Sequence, residues 1–291
     1  MRYFIQPVNS IAPDCAGAPC SLLIEHRTSE TFRKCFGRNT CVVKTDRFER
    51  NKIDGRGYDV IMVWGPSLPS EDQTRLLQFI NTCNAAGYSR PFLIINGPSA
   101  DEARSQLVRK VAEAGLCVEV LSLPIASIGG AQMLAVHRFL EDRNAKILVR
   151  IDPDGQFPVS CITDLLEAFE LPSRPDVVMG QRDEAGVAGG VRFVGNVLLR
   201  TWALRMEISG DPNCGFYALN RHAAAVLTTV PPTRYPEPRM LAAFRDASVA
   251  IETRVIPTLP RERGSSSIRG ILRSLGLFVG SALEMIPCKN R

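Results

Sequence analysis

From Asp59 onward, apolar and polar positions fall into a recurring order. DVIMVW is an apolar run of strand length, and EDQTRLLQFINTCNAAG after it carries apolar residues three and four apart, the spacing of an amphipathic helix. Ser70 is the expected N-cap of that helix and Gly87 its stop. The order repeats with strand PFLIIN, helix ADEARSQLVRKVAEAG and strand CVEVLSL, then a helix AQMLAVHRFLEDRN opened by Gly129-Gly130, then strand KILVRID. Strands alternating with helices over short links predict a parallel sheet covered on both faces. The second half is less regular. CITDLLEAFE and NVLLRTWALRME have helical spacing, DVVMGQR and CGFYALNR are strand-like, and ASVAIETRVI alternates as an edge or hairpin strand. RERGSSS is a loop, followed by a final amphipathic helix, SIRGILRSLGLFVGSALEMI.

Residues 1–57 lack this order. They are rich in Cys, Arg and Asn, hold only short apolar runs such as SLLI and CVV, and end in the turn-prone DGRG. The expected division is an N-terminal extension (1–57), an α/β domain (58–270) and a C-terminal amphipathic helix with its tail (271–291). At 291 residues, 45% hydrophobic and 22% charged, the chain is large enough for one sizeable α/β core. A net charge of +5 suits an anionic substrate or a membrane surface and is too mild to mark nucleic-acid binding. MRYFIQPVNSIAPD has no leader-like apolar stretch, and no run of 18 apolar residues occurs. The expected location is cytoplasmic, with peripheral contact to a membrane's cytoplasmic face left open. Nine cysteines without a CxxC pair fit reduced thiols. Cys15, Cys20, Cys35 and Cys41 do not have standard zinc spacing.

Candidate chemistry collects where strands end. In ILVRIDPDGQFP an apolar run stops in Asp152-Pro153-Asp154, two carboxylates whose mutual repulsion calls for a cation or for water. In parallel sheets ligands sit beyond the carboxyl ends of the strands. Two hard oxygen ligands there suit Mg²⁺ or Mn²⁺, which leave positions open for substrate phosphates. Asp-Pro-Asp-Gly is also ordinary turn chemistry, so both readings stand at this point.

Strand-DxDGQ resembles the metal-binding signature of family 2 glycosyltransferases with the GT-A fold, above all the polyprenyl-phosphate mannosyl- and glucosyltransferase branch. Further landmarks follow in that family's order: DVVMGQR as the strand ending in Gly-x-Arg, GNVLLRTWALRMEISGDPNCGFYALNR as its helix, Gly-Asp, Gly-Phe turn and returning Arg, and RERGSSSI as its Arg-x-x-Gly-x-Ser-Ser loop. The resemblance spans about residues 58–275 and implies a nucleotide-diphospho-sugar transferase fold with a mostly parallel sheet. It implies inverting, metal-dependent transfer from a nucleoside-diphosphate sugar to an anionic lipid, such as a polyprenyl phosphate, or to a glycan. Asp152 and Asp154 would hold the metal. Asn96, Ser99, Gly130, Arg261, Ser266 and Ser267 would face the donor. Arg182, Arg192 and Arg200 would receive the acceptor, and Asp211, ranked ahead of Glu237 because it follows Gly210 in the family-like segment, would take a proton from a hydroxyl acceptor. The final helix, with Ile271, Leu275, Phe278, Val279 and Leu283 on one face, is expected to pack on the domain; a membrane contact and a homodimer contact are the alternatives.

The chain departs from the family on the donor side. WGPSLPSED replaces a Pro-x-x-Asn-Glu turn, and Asn96-Gly97-Pro98-Ser99 replaces Asp-Asp-Gly-Ser. An amide there donates and accepts but carries no charge. A GT-A-like domain that binds a nucleotide, lipid phosphate or protein without turnover is therefore the competing reading. A nucleotidyltransferase fits less well, because no Gly-rich loop with a basic residue follows either first-strand candidate.

Overall fold

The alternation of the first half folds as its pattern predicts. The computed structural model describes residues 61–67, 72–88, 90–116, 118–182, 191–259 and 271–286, so the N-terminal extension lies outside the described residues. The strands are β1 (Ile61–Ser67), β2 (Arg90–Asn96), β3 (Glu119–Leu123), β4 (Ile147–Arg150), β5 (Val177–Arg182), β6 (Tyr217–Asn220) and β7 (Ile251–Ile256). The helices are α1 (Gln73–Ala85), α2 (Ala100–Glu113), α3 (Ile128–Glu141), α4 (Ile162–Ala168), α5 (Val191–Arg205), α6 (Arg221–Leu227), α7 (Pro236–Asp246) and α8 (Ile271–Glu284).

One sheet runs in the order β3-β2-β1-β4-β6-β5-β7. β3, β2, β1 and β4 are parallel, β6 is antiparallel to both β4 and β5, and β7 closes the far edge parallel to β5. β7 is thus an edge strand and not half of a hairpin. β4, which carries the DPDG turn, is the middle strand of the seven.

Because side chains alternate across a strand, the sheet buries two separate cores. Val63, Leu93, Ile95, Val149 and Ile151 meet α1, α2 and α4. Phe92, Ile94, Leu148, Met179 and Tyr217 meet α3, α5, α6 and α7 on the opposite face. α1 starts from Asp72, whose side chain accepts from Thr74 N at 2.9 Å. The cap expected at Ser70 lies outside the described residues. α6 and α7 are additions to the expected elements. α7 begins Pro-Glu-Pro, and proline is tolerated in a helix's first turn because its missing N–H has no partner there anyway.

α8 packs on α5 and α7, the expected outcome for this helix. Trp202 Nε1 donates to Ala282 O at 3.3 Å, Arg245 Nη1 donates to Met285 O at 3.1 Å, and Met285 is fully buried. Val279 and Leu283 remain exposed. Among the described residues no helix is long and apolar enough to cross a membrane, and Cys83, Cys161 and Cys214 are free, buried thiols.

Candidate active site

Arg150, the basic interruption in β4, organises the first half of the site. It shares the face of Leu148, where α7 packs, and is 3% exposed. A buried guanidinium must be paired. Its Nη1 donates to Glu237 Oε1, its Nη2 to Asp152 Oδ1 at 3.4 Å, and its Cζ stands 5.7 Å from the centre of the Tyr217 ring. Burial disfavours the Arg150 charge, but Glu237 and Asp152 outweigh it and the pKa rises. The cation demanded by the DPD turn is therefore partly built into the chain. The Asp152 carboxyl is nonetheless pushed up to about 6, by burial first and then by Asp154 and Glu237, against the opposing pull of Arg150. Gly215, just before β6, makes this cluster possible, since a Cβ there would stand 3.0 Å from Arg150 Nη2 and 3.1 Å from Asp152 Oδ2.

The second half is organised by Asp211. It is 3% exposed and accepts from Arg200 Nη2 at 2.9 Å, Arg182 Nε at 3.4 Å and the Asn213 backbone N–H at 3.0 Å. Arg182 also donates to Asn213 O at 2.9 Å, and Asn213 Nδ2 donates to Asn196 Oδ1 at 2.9 Å. β5 delivers Arg182 at its carboxyl end and α5 delivers Arg200, both converging on the turn before β6.

The clusters have opposite polarity. Two carboxylates on one guanidinium leave the Arg150 group net negative; two guanidiniums on one carboxylate leave the Asp211 group net positive. Both reach one cavity of about 260 Å³, lined by Arg150, Asp152 and Glu237 on one side and by Arg182, Asn196 and Asn213 on the other. Arg234 and Tyr235 border it, with Ile128, Leu199 and Phe278 as its apolar wall.

The expected site residues fare differently. Asp152, Arg182 and Glu237 meet in the cavity. Asp211 and Arg200 stand behind Arg182 and do not line it. Asp154 is held in a turn, accepting from Gln156 N at 3.1 Å beside Gly155 at φ +75°. Asn96 ends β2, 1% exposed, and its Oδ1 has no hydrogen-bond partner among the described residues. Ser99 is exposed at the N-cap of α2 and makes no side-chain capping bond. Gly130 N donates to Ser127 Oγ at 2.9 Å, and a Cβ on Gly130 would press on Leu123 and Ser127. Arg192 lies in the first turn of α5, its side chain outside the described residues, as are Arg261, Ser266 and Ser267. Yet Leu259, two residues before Arg261, donates its N–H to Gln156 O at 2.8 Å, tying the start of that segment to the DPDGQ turn.

Sequence reasoning passed over Arg150, Arg234, Tyr235 and Asn213. Arg150 had a usable signal, because a charge inside a buried strand needs a partner. Among the described residues no group of three or more His, Cys, Asp or Glu side chains gathers to hold a metal ion.

No protein-family model matches this chain, and no curated protein sequence matches it. Among solved structures it is similar to glucosyl-3-phosphoglycerate synthase from Mycobacterium tuberculosis. Against that enzyme's complex with phosphoglyceric acid the TM-score is 0.55 at 18% identity, covering 78% of this chain and 80% of that one. Against its complex with Mn²⁺, UDP and phosphoglyceric acid the TM-score is 0.53 at 19% identity, covering 78% and 77%. The complex with Mn²⁺, UDP-glucose and phosphoglyceric acid gives 0.53 at 19% identity, covering 78% of each chain. The α/β fold of this chain is of the GT-A glycosyltransferase type.

Proposed function

We propose that this protein transfers a sugar from a nucleoside-diphosphate sugar to an anionic acceptor, with Mg²⁺ or Mn²⁺ as cofactor. One observation carries the reading: a single cavity at the end of β4 has a net-negative cluster on one side and a net-positive cluster on the other. The negative side suits a divalent ion with its phosphate ligand, and the positive side suits an acceptor anion.

The residues fit such a metal. Asp152 is a hard oxygen donor whose counter-charge, Arg150, is shared with Glu237, and an incomplete protein cage is what Mg²⁺ and Mn²⁺ use when substrate phosphates supply further ligands. Asp152, with Asp154 beside it, would hold the ion, which when bound neutralises charge on the leaving diphosphate. Arg261, Ser266 and Ser267 would close over that diphosphate from the segment rooted at Leu259. Arg182, held in place by Asp211 and the Asn213 carbonyl, would orient the acceptor's anionic group, since a guanidinium matches phosphate geometry. An acceptor oxygen displaces the diphosphate at the anomeric carbon, so one C–O bond forms as another breaks. A phosphate acceptor needs no base. A hydroxyl acceptor loses its proton to Glu237, which lines the cavity, whereas Asp211 is committed to two guanidiniums.

Two acceptor sources share the required chemistry: a polyprenyl phosphate and a small phosphorylated acid of the kind bound by the similar enzyme. The test combines UDP-, GDP- and dTDP-sugars with Mn²⁺ and either acceptor, and follows release of the nucleoside diphosphate. Metal-dependent release that Asp152→Asn abolishes is the expected result. Binding of sugar nucleotides without turnover or metal dependence overturns the reading in favour of a non-catalytic GT-A-like domain.

A further inference from the structure

The C-terminal helix contributes more than packing. Ser281 of α8 lines the cavity, is 1% exposed, and its Oγ has no hydrogen-bond partner among the described residues. A helical serine ordinarily returns its hydroxyl to a carbonyl one turn back, and a buried hydroxyl left unsatisfied is costly. Its neighbourhood is held tightly. A Cβ on Gly280 would stand 2.1 Å from the Tyr235 ring, so only glycine lets α8 come this close to the cavity's rim. Tyr235 Oη in turn donates to Gly276 O at 3.3 Å, and Thr233 Oγ1 donates to Glu284 Oε1 at 2.6 Å. α8 is thus clamped to the segment bearing Arg234, Tyr235 and Glu237, with Ser281 at the cavity wall.

Building on the transferase reading above, we infer that Ser281 is an acceptor-positioning residue. Its hydroxyl hydrogen-bonds a compact, hydrophilic, phosphorylated acid whose phosphate is held by Arg182. The cavity volume agrees: about 260 Å³ lies just below the range of pockets for drug-sized ligands. It accommodates a small polar molecule whole, but only the head group of a long lipid.

The test measures binding of 3-phosphoglycerate to the full chain by calorimetry, with and without UDP and Mn²⁺, in the wild type, Ser281→Ala and Val279→Ala. Val279 is exposed on the same helix and serves as the control. Ser281→Ala is expected to weaken 3-phosphoglycerate binding about tenfold, the effect of one lost hydrogen bond, and, where turnover occurs, to raise the acceptor KM rather than lower kcat. Val279→Ala leaves binding as it was. A purely structural Ser281 gives another pattern, because removing an unsatisfied buried hydroxyl raises the melting temperature of the ligand-free protein without altering acceptor binding. The inference is overturned by equal 3-phosphoglycerate affinity in wild type and Ser281→Ala, by absence of binding in the wild type, or by turnover with polyprenyl phosphate alone. Failure of the transferase reading shows separately, as absence of metal-dependent donor turnover, while the binding comparison still decides the role of Ser281.

Discussion

The two ends of the sheet's carboxyl edge handle polarity in opposite ways. At the β4–β5–β6 end, each of two buried charges is met by partly exposed partners: Asp152 and Glu237 on Arg150, Arg182 and Arg200 on Asp211. At the β2–β3 end stands a neutral amide, Asn96, buried with an unpartnered Oδ1 among the described residues. Groups fixed in advance by opposite charges cost little reorganisation when a charged substrate arrives. On the proposed transferase reading, the contrast assigns the demanding chemistry to β4–β5–β6 and leaves the β2 end as the place where ligand preference has room to differ. The same division runs through the sequence, whose family-like landmarks persist in the second region and drift in the first.

The most severe way to break the comparison is to remove Arg150. Arg150→Met leaves Asp152 and Glu237 facing each other without their shared cation, and a buried ion pair stripped of one partner costs about 3–5 kcal/mol. Chemical denaturation should show that loss, and adding Glu237→Gln should recover part of it, because the two sites are coupled. Next come the cavity carboxylates. Asp152→Asn should reduce metal-dependent donor turnover by about 10²-fold or more. With a hydroxyl acceptor, Glu237→Gln should lower kcat by about 10²-fold, the usual worth of a general base. Asp211→Asn sharpens the division of labour. It should raise the acceptor KM by about tenfold, consistent with loosened charged hydrogen bonds, and an equal fall in kcat would instead make Asp211 the base.

A separate effect is on pH. The Asp152 carboxyl is pushed up from 3.8 to about 6, so between these values the folded chain binds more protons than the unfolded one. Stability of the metal-free protein should therefore fall as pH rises through this window. Melting curves of wild type minus Asp152→Asn, taken from about pH 4 to 6.5, isolate that contribution. Mn²⁺ with UDP should remove most of it by occupying the carboxylate.

Much of the first half was legible because its determinants are local. Apolar runs of strand length, helical spacing and Gly87 and Gly115 at positive φ each act within a few residues, and they suffice for strands, helices and the DPDG turn. α7 was not legible, since its Pro-Glu-Pro start resembles a turn and its burial arises only against α3, α6 and α8. The pairing of Asp211 with Arg182 and Arg200 was equally hidden. It puts a carboxylate that looks catalytic by its place in the motif behind the arginines, and Glu237 at the cavity.

The sequence by itself determined the alternating elements, the strand end at Asp152 and the types of groups available for chemistry, because periodicity and turn propensity are short-range properties. The tertiary structure alone decided which charges share a cavity. β6 enters between β4 and β5 against chain order, bringing Gly215, Arg150, Asp152 and the Asp211 turn together, and α7 and α8 then close on them. Once charges are buried, their behaviour follows from the partners within a few ångströms, and those partners come from as far as 87 residues away in the chain, as Glu237 does for Arg150.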